Sequence, residues 1–249
     1  MDVSGASLIA GIAWKPNIEY GKFLLAPFFE AGWGGYNSYN SFGGADVGGK
    51  GNISYYGGGL LLRYELPVGL YAEASGRVGG VRTWYSSSDL RDYSNREASY
   101  DISTAYYGAH AGLGYIWNIT EKASLDLYGK YLWTHQDGTS VSACGDTLDF
   151  KAMDSHRLRG GARLSYAIND YVTPYIGAAY EREFDGRARA SVYDHKIGTP
   201  DLIGDTGIGE LGLTLKPSKT LPLSFDLGVQ GYVGKREGVT GSLQARYEF

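Results

Sequence analysis

Within the strand-like runs of this sequence the charged side chains keep one alternating phase, as Arg157, Arg159 and Arg163 do, and they carry both signs. Residues two apart lie on the same face of a strand, so such groups would form ion pairs across a sheet or line a polar conduit. The candidates for this polar face are Glu30, Arg63, Glu65, Glu73, Arg77, Asp126, Lys130, Arg157, Arg159, Arg163, Glu181, Glu183, Glu210, Asp226, Arg246 and Glu248.

Two roles fit these charges. They would pair across neighbouring strands and hold them in register, or they would solvate an extended chain or grip a helix passing through a lumen. Burial of an unpaired charge is costly, so a water-filled or helix-plugged interior suits them better than a dry core. We favour the paired network as their main role.

The remaining reactive residues do not form a catalytic or metal-binding pattern. Cys144 is the single cysteine and lies in a Ser/Gly/Asp-rich stretch, where we expect an incidental loop residue. His110 lies between Gly108 and Gly112 on the polar face, as a wall residue would. We therefore expect no enzymatic activity, no cofactor and no metal. The net charge of −4, without a basic stripe, argues against nucleic acid as a partner.

The C-terminal stretch, Gly238 to Phe249, shows the alternation most clearly. One set of alternate positions is apolar: Val239, Gly241, Leu243, Ala245, Tyr247 and Phe249. The other set is polar: Thr240, Ser242, Gln244, Arg246 and Glu248. Chain termini fray unless they are tied into a sheet. The pattern predicts a terminal strand with one apolar face and one polar face, and we single out Leu243, Ala245, Tyr247 and Phe249 as its signal.

The same alternation predicts eleven strands of roughly 12 to 15 residues, longer than the usual soluble strand. The high Gly (38) and Tyr (22) counts and the low Pro count (7) suit a sheet. No run approaches the ~20 apolar residues of a membrane-spanning helix. A membrane-spanning strand needs only about ten residues with every other one apolar. Pro27, inside the second strand, predicts an edge position or a bulge.

Long and short connections between these strands alternate until the final hairpin. The predicted long loops cover 37–50, 85–100, about 135–154 and roughly 186–205, and short turns lie at 16–21, 67, 118–121, 169–170 and 217–221. Aromatic residues cluster at strand ends, namely Tyr64, Trp117, Trp133, Tyr166 and Phe249. Short periplasmic turns, long external loops and aromatic girdles are typical of outer-membrane barrels.

The sequence therefore predicts an all-β fold, a transmembrane antiparallel up-and-down β-barrel that occupies residues 1–249 as one domain. Single-chain barrels have an even number of strands, with both termini in the periplasm. If the last of eleven strands ends in the periplasm, the first strand begins on the external side of the membrane. We therefore expect one further outward strand to precede Met1.

Several stretches resemble one known family. They are APFFEAGWGGYNSYNSF, YYGAHAGLGYIWNITEKASLDLYGKYLWT, DSHRLRGGARLSYAINDYVTPYIGAAYEREFDG and GIGELGLTLKPS, followed by the Phe-terminated end. Together they closely resemble the translocator domain of autotransporters, the type V secretion proteins of Gram-negative bacteria. The resemblance covers nearly the whole chain.

The resemblance implies a twelve-stranded barrel in the bacterial outer membrane, which inserts with help from the barrel assembly machinery through its C-terminal strand. It also implies a linker helix in the lumen and an N-terminal passenger exported to the cell surface, both absent from this chain. Some such families cut their own linker with lumen carboxylates. Glu181, Glu183 and Asp126 would be the candidates here, but we favour a structural role for them.

Two other functions fit the same barrel. A diffusion porin or a surface-loop receptor would need a long loop folded inward with one-sided charges, and no clear candidate is present. A membrane-embedded hydrolase would need a His/Asp or Ser/His set near the external rim. His135, His156 and His195 lie there without an evident partner pattern.

Overall fold

The computed structural model describes residues 2–16, 18–42, 45–92, 94–143, 146–192, 195–197, 201–218 and 220–247. Cys144, Glu248 and Phe249 lie outside these residues, so the expectations for them stay predictions. None of the described residues lies in a helix long and apolar enough to cross a membrane.

The described chain is all-β, with fifteen strands joined by turns and short irregular segments. The strands are β1 (Asp2–Gly11), β2 (Lys22–Phe42), β3 (Ala45–Glu65), β4 (Leu70–Arg91), β5 (Glu97–Asn118), β6 (Ala123–Gln136), β7 (Thr139–Ala143), β8 (Asp146–Phe150), β9 (Met153–Tyr166), β10 (Val172–Glu183), β11 (Ala190–Val192), β12 (His195–Ile197), β13 (Gly204–Leu215), β14 (Leu223–Gly234) and β15 (Gly238–Tyr247).

Eleven of these strands form one antiparallel sheet in the order β1-β2-β3-β4-β5-β6-β9-β10-β13-β14-β15. Each strand pairs with its neighbour along the chain, apart from the short strands inserted in loops, so the up-and-down topology and the predicted number of strands are confirmed. The sheet curls into a half-barrel whose two edges are β1 and β15. We call its two ends the short-turn end and the long-loop end.

The four remaining strands form a second small sheet at the long-loop end, in the order β12-β11-β8-β7. They belong to two of the predicted long loops, 135–154 and 186–205. In the sequence these segments are rich in Ser, Gly, Thr and Asp, which we interpreted as loop signals. Backbone pairing between two separate loops supplies the hydrogen bonds that the local sequence does not specify.

The other two predicted long loops, 37–50 and 85–100, are mostly strand, and this corrects the sequence interpretation. β2 and β3 are 21 residues long, and β4 and β5 are 22 residues long. The extensions carry stacked tyrosines: the ring centroids of Tyr36 and Tyr85 are 6.4 Å apart, and those of Tyr85 and Tyr100 are 5.2 Å apart. Aromatic pairs across strands stabilise such hairpins despite many polar neighbours.

The prediction that Pro27 marks an edge strand or a bulge is wrong. Pro27 lies in the second strand of the sheet, in continuous register opposite Leu60. Its carbonyl accepts a hydrogen bond from the Ile12 N–H at 3.2 Å, just past the end of β1. The backbone nitrogen of Pro27, which carries no hydrogen, therefore faces the end of β1. Few hydrogen bonds between β1 and β2 are lost there.

The two faces of the sheet differ sharply in polarity. Outward-facing side chains such as Leu113, Ile176 and Leu211 are 69%, 62% and 61% exposed. On the opposite face Glu30 and Glu181 are each 2% exposed. Leu125, Leu213, Phe225 and Leu243 share the outer face and do not meet in a compact apolar interior. The burial pattern is therefore inverted relative to a soluble sandwich.

Candidate functional site

The inner face carries clusters in which one buried carboxylate collects several donors. The Glu30 cluster joins three strands: Arg77 Nη1 donates to Glu30 Oε2 at 3.1 Å and the Tyr106 hydroxyl donates to Oε1 at 2.6 Å. Glu30 comes from β2, Arg77 from β4 and Tyr106 from β5. These contacts bridge strands that are not direct neighbours in the sheet, so they tie together a wider part of the wall than a single cross-strand pair.

The Glu73 cluster lies nearer the short-turn end. Lys130 Nζ lies 2.6 Å from Glu73 Oε1, Arg63 Nη1 lies 3.2 Å from Oε2, and His110 Nε2 lies 3.5 Å from Oε1. The four groups come from β3, β4, β5 and β6. His110 also contacts the Ser75 hydroxyl at 2.5 Å, so His110 is part of the wall of this cluster.

The Glu181 cluster lies toward the long-loop end and is the most arginine-rich. Arg159 Nη2 and Arg236 Nη2 each lie 2.6 Å from a Glu181 oxygen, and Arg157 Nη1 lies 3.8 Å away. Glu183, beside it on β10, accepts hydrogen bonds from the Ser155 hydroxyl at 2.6 Å and from the His156 N–H at 2.8 Å.

This cluster has an excess of donors. Three guanidinium groups face two carboxylates. Among the described residues, Arg157 Nε and Arg236 Nε are the buried side-chain nitrogens that lack a hydrogen-bond partner. Buried donors are normally paired, so these two nitrogens are exceptions within the described part of the chain.

The Glu210 cluster occupies the part of the wall near β15. Arg163 holds Glu210 in a two-pronged contact, Nε to Oε1 at 2.7 Å and Nη2 to Oε2 at 2.9 Å. Such fork-shaped pairs are both strong and directional. Beside it Asp226 accepts hydrogen bonds from the Tyr175 hydroxyl at 2.9 Å and from the Thr214 hydroxyl at 2.8 Å.

Three further predicted residues lie beside these ion-pair clusters. Asp126 accepts a hydrogen bond from the Tyr71 hydroxyl at 2.9 Å. Arg246, on β15, lies opposite Ser224 and lines a polar depression of about 290 Å³ with Arg163 and Glu210. Glu65 lies 3.5 Å from Lys22 and 3.6 Å from Arg63. The C-terminal residues Leu243, Ala245 and Tyr247 lie on the outer face of the edge strand, opposite Leu227, Phe225 and Leu223.

Tyrosines that we did not name from the sequence are part of the same inner surface. The side chains of Tyr71, Tyr106 and Tyr175 lie against glycines of other strands, namely Gly114, Gly57 and Gly212. A methyl group at any of these glycines would collide with the tyrosine ring. The sequence did contain this information, because each of these tyrosines lies at one of the alternate positions that form the polar face of its strand.

The chemistry available on this face is hydrogen bonding and charge pairing. The part of the chain that the structure describes contains no group of three or more His, Cys, Asp or Glu side chains placed to hold a metal ion. Together the clusters form a polar surface, with both acidic and basic groups, on the concave side of the sheet.

The outer face carries the complementary feature, two rows of indole rings. Trp14 and Trp117 lie at the short-turn end, and Trp33, Trp84 and Trp133 lie toward the long-loop end, all with the phase of the outer face. These are the five tryptophans of the chain. Rows of amphipathic rings at two levels are typical of the interfaces of a bilayer.

Comparisons with known proteins agree with this geometry. The family model described as "Autotransporter beta-domain" matches residues 4–228. No curated protein matches the chain. Among solved structures, the transport unit of the autotransporter AIDA-I from Escherichia coli is similar, with a TM-score of 0.72 and 17% identity, and the match covers 99% of this chain and 82% of that one.

Two further structures share the fold at similarly low identity. The beta domain of the Bordetella autotransporter BrkA has a TM-score of 0.73 and 15% identity, covering 99% of this chain and 91% of that one. The translocator domain of NalP from Neisseria meningitidis has a TM-score of 0.74 and 17% identity, covering 99% and 82%. At this identity the structures establish the fold, and the family model, which matches most of the sequence, establishes the family. The chain belongs to the autotransporter beta-domain family, whose members are outer-membrane translocator barrels of type V secretion in Gram-negative bacteria.

Proposed function

We propose that this chain anchors an N-terminal passenger in the outer membrane and exports it to the cell surface through, or together with, its polar lumen. One observation carries the proposal. Buried acidic and basic side chains line the concave face of the sheet, and exposed apolar side chains cover its convex face. Lipid would solvate the convex face, and water or a polypeptide would occupy the concave one.

The Glu181 cluster supports a polypeptide as occupant. Its three guanidinium groups outnumber its two carboxylates and belong to partly exposed side chains, so they match the carboxylates and carbonyl oxygens of a chain or linker helix. The carboxylates of the four clusters already bind basic groups or hydroxyls, which fits a scaffold better than an acid/base pair. We expect no catalytic activity of this barrel.

We also propose that a twelfth strand closes the barrel between β1 and β15. These strands are the edges of the described sheet, and all their residues are exposed. An open edge invites pairing with another strand. The exposed apolar face of β15, with Leu243, Ala245 and Tyr247, is the part we propose as the recognition signal for the barrel assembly machinery.

Export is tested with a fusion in Escherichia coli. A signal peptide, a small epitope-tagged passenger and the full natural linker are placed ahead of this chain, and surface exposure of the tag is measured by antibody binding and protease shaving of intact cells. We expect the tag to be shaved from intact cells while a periplasmic marker stays protected.

A variant separates lumen chemistry from assembly. Arg157→Gln removes the guanidinium group that lies farthest from Glu181, at 3.8 Å, and leaves the Arg159 and Arg236 contacts, the outer face and β15 intact. We expect normal amounts of folded barrel, scored by heat-modifiable gel migration, and slower passenger export. A folded barrel that leaves the tag in the periplasm, even with the natural residues, would refute the export function and favour a porin or receptor.

A further inference from the structure

A groove crosses the outer face of the first four strands near the long-loop end. It encloses about 510 Å³ and is lined by Ser4, Ala6, Trp33, Asn52, Arg82 and Trp84, with the backbone of glycines as part of its floor. The neighbouring outer surface nearer the short-turn end is apolar, with Leu60 and Val78 exposed on the same strands. A groove that places Asn52 and Arg82 beside two indoles therefore differs from the surface that would meet acyl chains.

The register of the strands gives the groove its shape. One cross-strand row places Gly35, Asn52 and Trp84 side by side, and the next row places Trp33, Ser54 and Arg82 side by side. The two indoles therefore stand at opposite corners, with Asn52 and Ser54 between them. The side chains of Asn52 and Ser54 are shorter than indole, so the floor of the groove lies below its two aromatic walls.

The rim of the groove carries planar hydrogen-bonding groups. Arg82 donates to Asp101 through Nε at 2.9 Å and through Nη2 at 2.5 Å. The pair remains accessible, since the side chains are 66% and 42% exposed. Because the guanidinium charge is already balanced by a carboxylate, this rim is better suited to neutral hydroxyl groups than to an isolated anion.

We infer that this groove binds a sugar ring of the glycolipid headgroup in the outer leaflet of the membrane. The apolar face of a pyranose ring packs against indole, while its vicinal hydroxyls match the paired donors and acceptors of Asn52, Arg82 and Asp101. The groove lies at the level of the indole row of the long-loop end, where a headgroup begins. The inference rests on the proposed function for this orientation in the bilayer.

Native mass spectrometry of the full-length protein, folded in detergent, tests the inference. The protein is incubated with lipid A carrying two inner-core sugars, or with phosphatidylglycerol, and the retained lipid is counted after mild delipidation. We compare Trp33→Leu, Trp84→Leu and Asn52→Leu with Trp117→Leu, which removes an exposed indole at the other end of the barrel. Heat-modifiable migration shows that each variant is folded.

We expect the glycolipid to be retained by the unaltered protein and by Trp117→Leu, and to fall about fivefold or more in the three groove variants, as loss of one stacking or hydrogen-bonding partner implies. Equal retention of phosphatidylglycerol, or an equal loss in Trp117→Leu, would overturn the inference, because binding would then depend on charge or on any exposed indole. The readout does not involve a passenger, so failure here leaves the export function untouched.

Discussion

The buried carboxylates of the inner face are stable because each is surrounded by donors from several strands. Glu181 is 2% exposed, and transfer of a carboxylate from water to such a site is unfavourable unless it is paired. Arg159 and Arg236 supply that pairing from β9 and from the β14–β15 connection. One side chain therefore links parts of the chain that are 55 residues apart.

Replacement of Glu181 by Leu removes this link. The change leaves three arginines together without their shared partner, and we expect the free energy of unfolding to fall by about 3 kcal/mol, at the low end for a broken buried pair because the arginines are partly exposed. Urea titration in detergent measures it. Glu65→Leu, at a carboxylate that is 25% exposed, serves as the control, with an expected change below about 1 kcal/mol. Equal effects of the two variants would contradict the special role of the Glu181 cluster.

At the scale of strands, tyrosine side chains of the inner face pack against glycines of other strands. Tyr71, on β4, reaches across Gly114 on β5 to donate to Asp126 on β6. The ring covers the backbone at a position where any larger residue would displace it. The hydrogen bond and the packing therefore depend on each other.

We predict that Gly114→Ala destabilises the barrel by roughly 1–3 kcal/mol, because the added methyl group overpacks against the ring. Gly129→Ala is the matched control, since nothing lies within 4 Å of a methyl group at that position. In a Tyr71→Leu background the effect of Gly114→Ala should shrink, and a double-mutant cycle in urea measures the coupling. Additive effects would show that Tyr71 and Gly114 do not act together.

The tip of the β4–β5 hairpin depends on one carboxylate. Asp92 Oδ1 accepts the N–H groups of Ser94 and Arg96 at 2.8 and 2.9 Å, and Oδ2 accepts Arg96 Nε at 2.8 Å. The backbone N–H of Arg96 is the main cause of a lowered Asp92 pKa. Because the pKa of Asp92 is lower in the folded protein, the stabilisation is present above its unfolded-state pKa of about 3.9. The stabilisation is lost as the pH falls through the folded-state pKa.

We therefore predict that the protection factors of the Ser94 and Arg96 amides, corrected for the intrinsic exchange rate, fall between pH 5 and pH 2.5. In Asp92→Ala, which removes the acceptor, they should already be low at pH 5 and change little. Protection factors that stay constant over this range in the unaltered protein would show that Asp92 does not hold the tip.

At the scale of the molecule, the positions of the tryptophans indicate which face of the sheet contacts lipid. The five indoles share the outer face, and four of them, Trp14, Trp33, Trp84 and Trp117, are more than one third exposed in the isolated chain. A soluble protein of this fold would present these rings to water. A membrane barrel buries them among lipid chains and headgroups.

Reconstitution into vesicles of brominated phosphatidylcholine should therefore quench the intrinsic fluorescence by about half or more, while acrylamide in the water should quench it weakly. Unbrominated vesicles are the control. Strong quenching by acrylamide together with no effect of bromine would place the rings in water and refute the proposed orientation of the faces.

Two segments show how much of the structure could be predicted from the local sequence. The alternation of Leu243 and Ala245 with Gln244 and Arg246 predicted both a strand and its two faces, and β15 confirms the strand. The Gly-, Ser- and Asn-rich stretch 37–50 predicted a loop, yet most of it is paired backbone. Composition alone could not indicate that pairing, because the stacked tyrosines that accompany it come from three different strands.

The sequence by itself determined the class of fold, the number of strands in the large sheet and the polarity of each face, because side-chain alternation is a local property of an extended chain. The tertiary structure decided which carboxylate meets which arginine, which tyrosine lies over which glycine, and where two indoles flank a groove that contains Asn52 and Arg82. Those contacts depend on register and sheet curvature, which arise only when strands distant in sequence hydrogen-bond side by side.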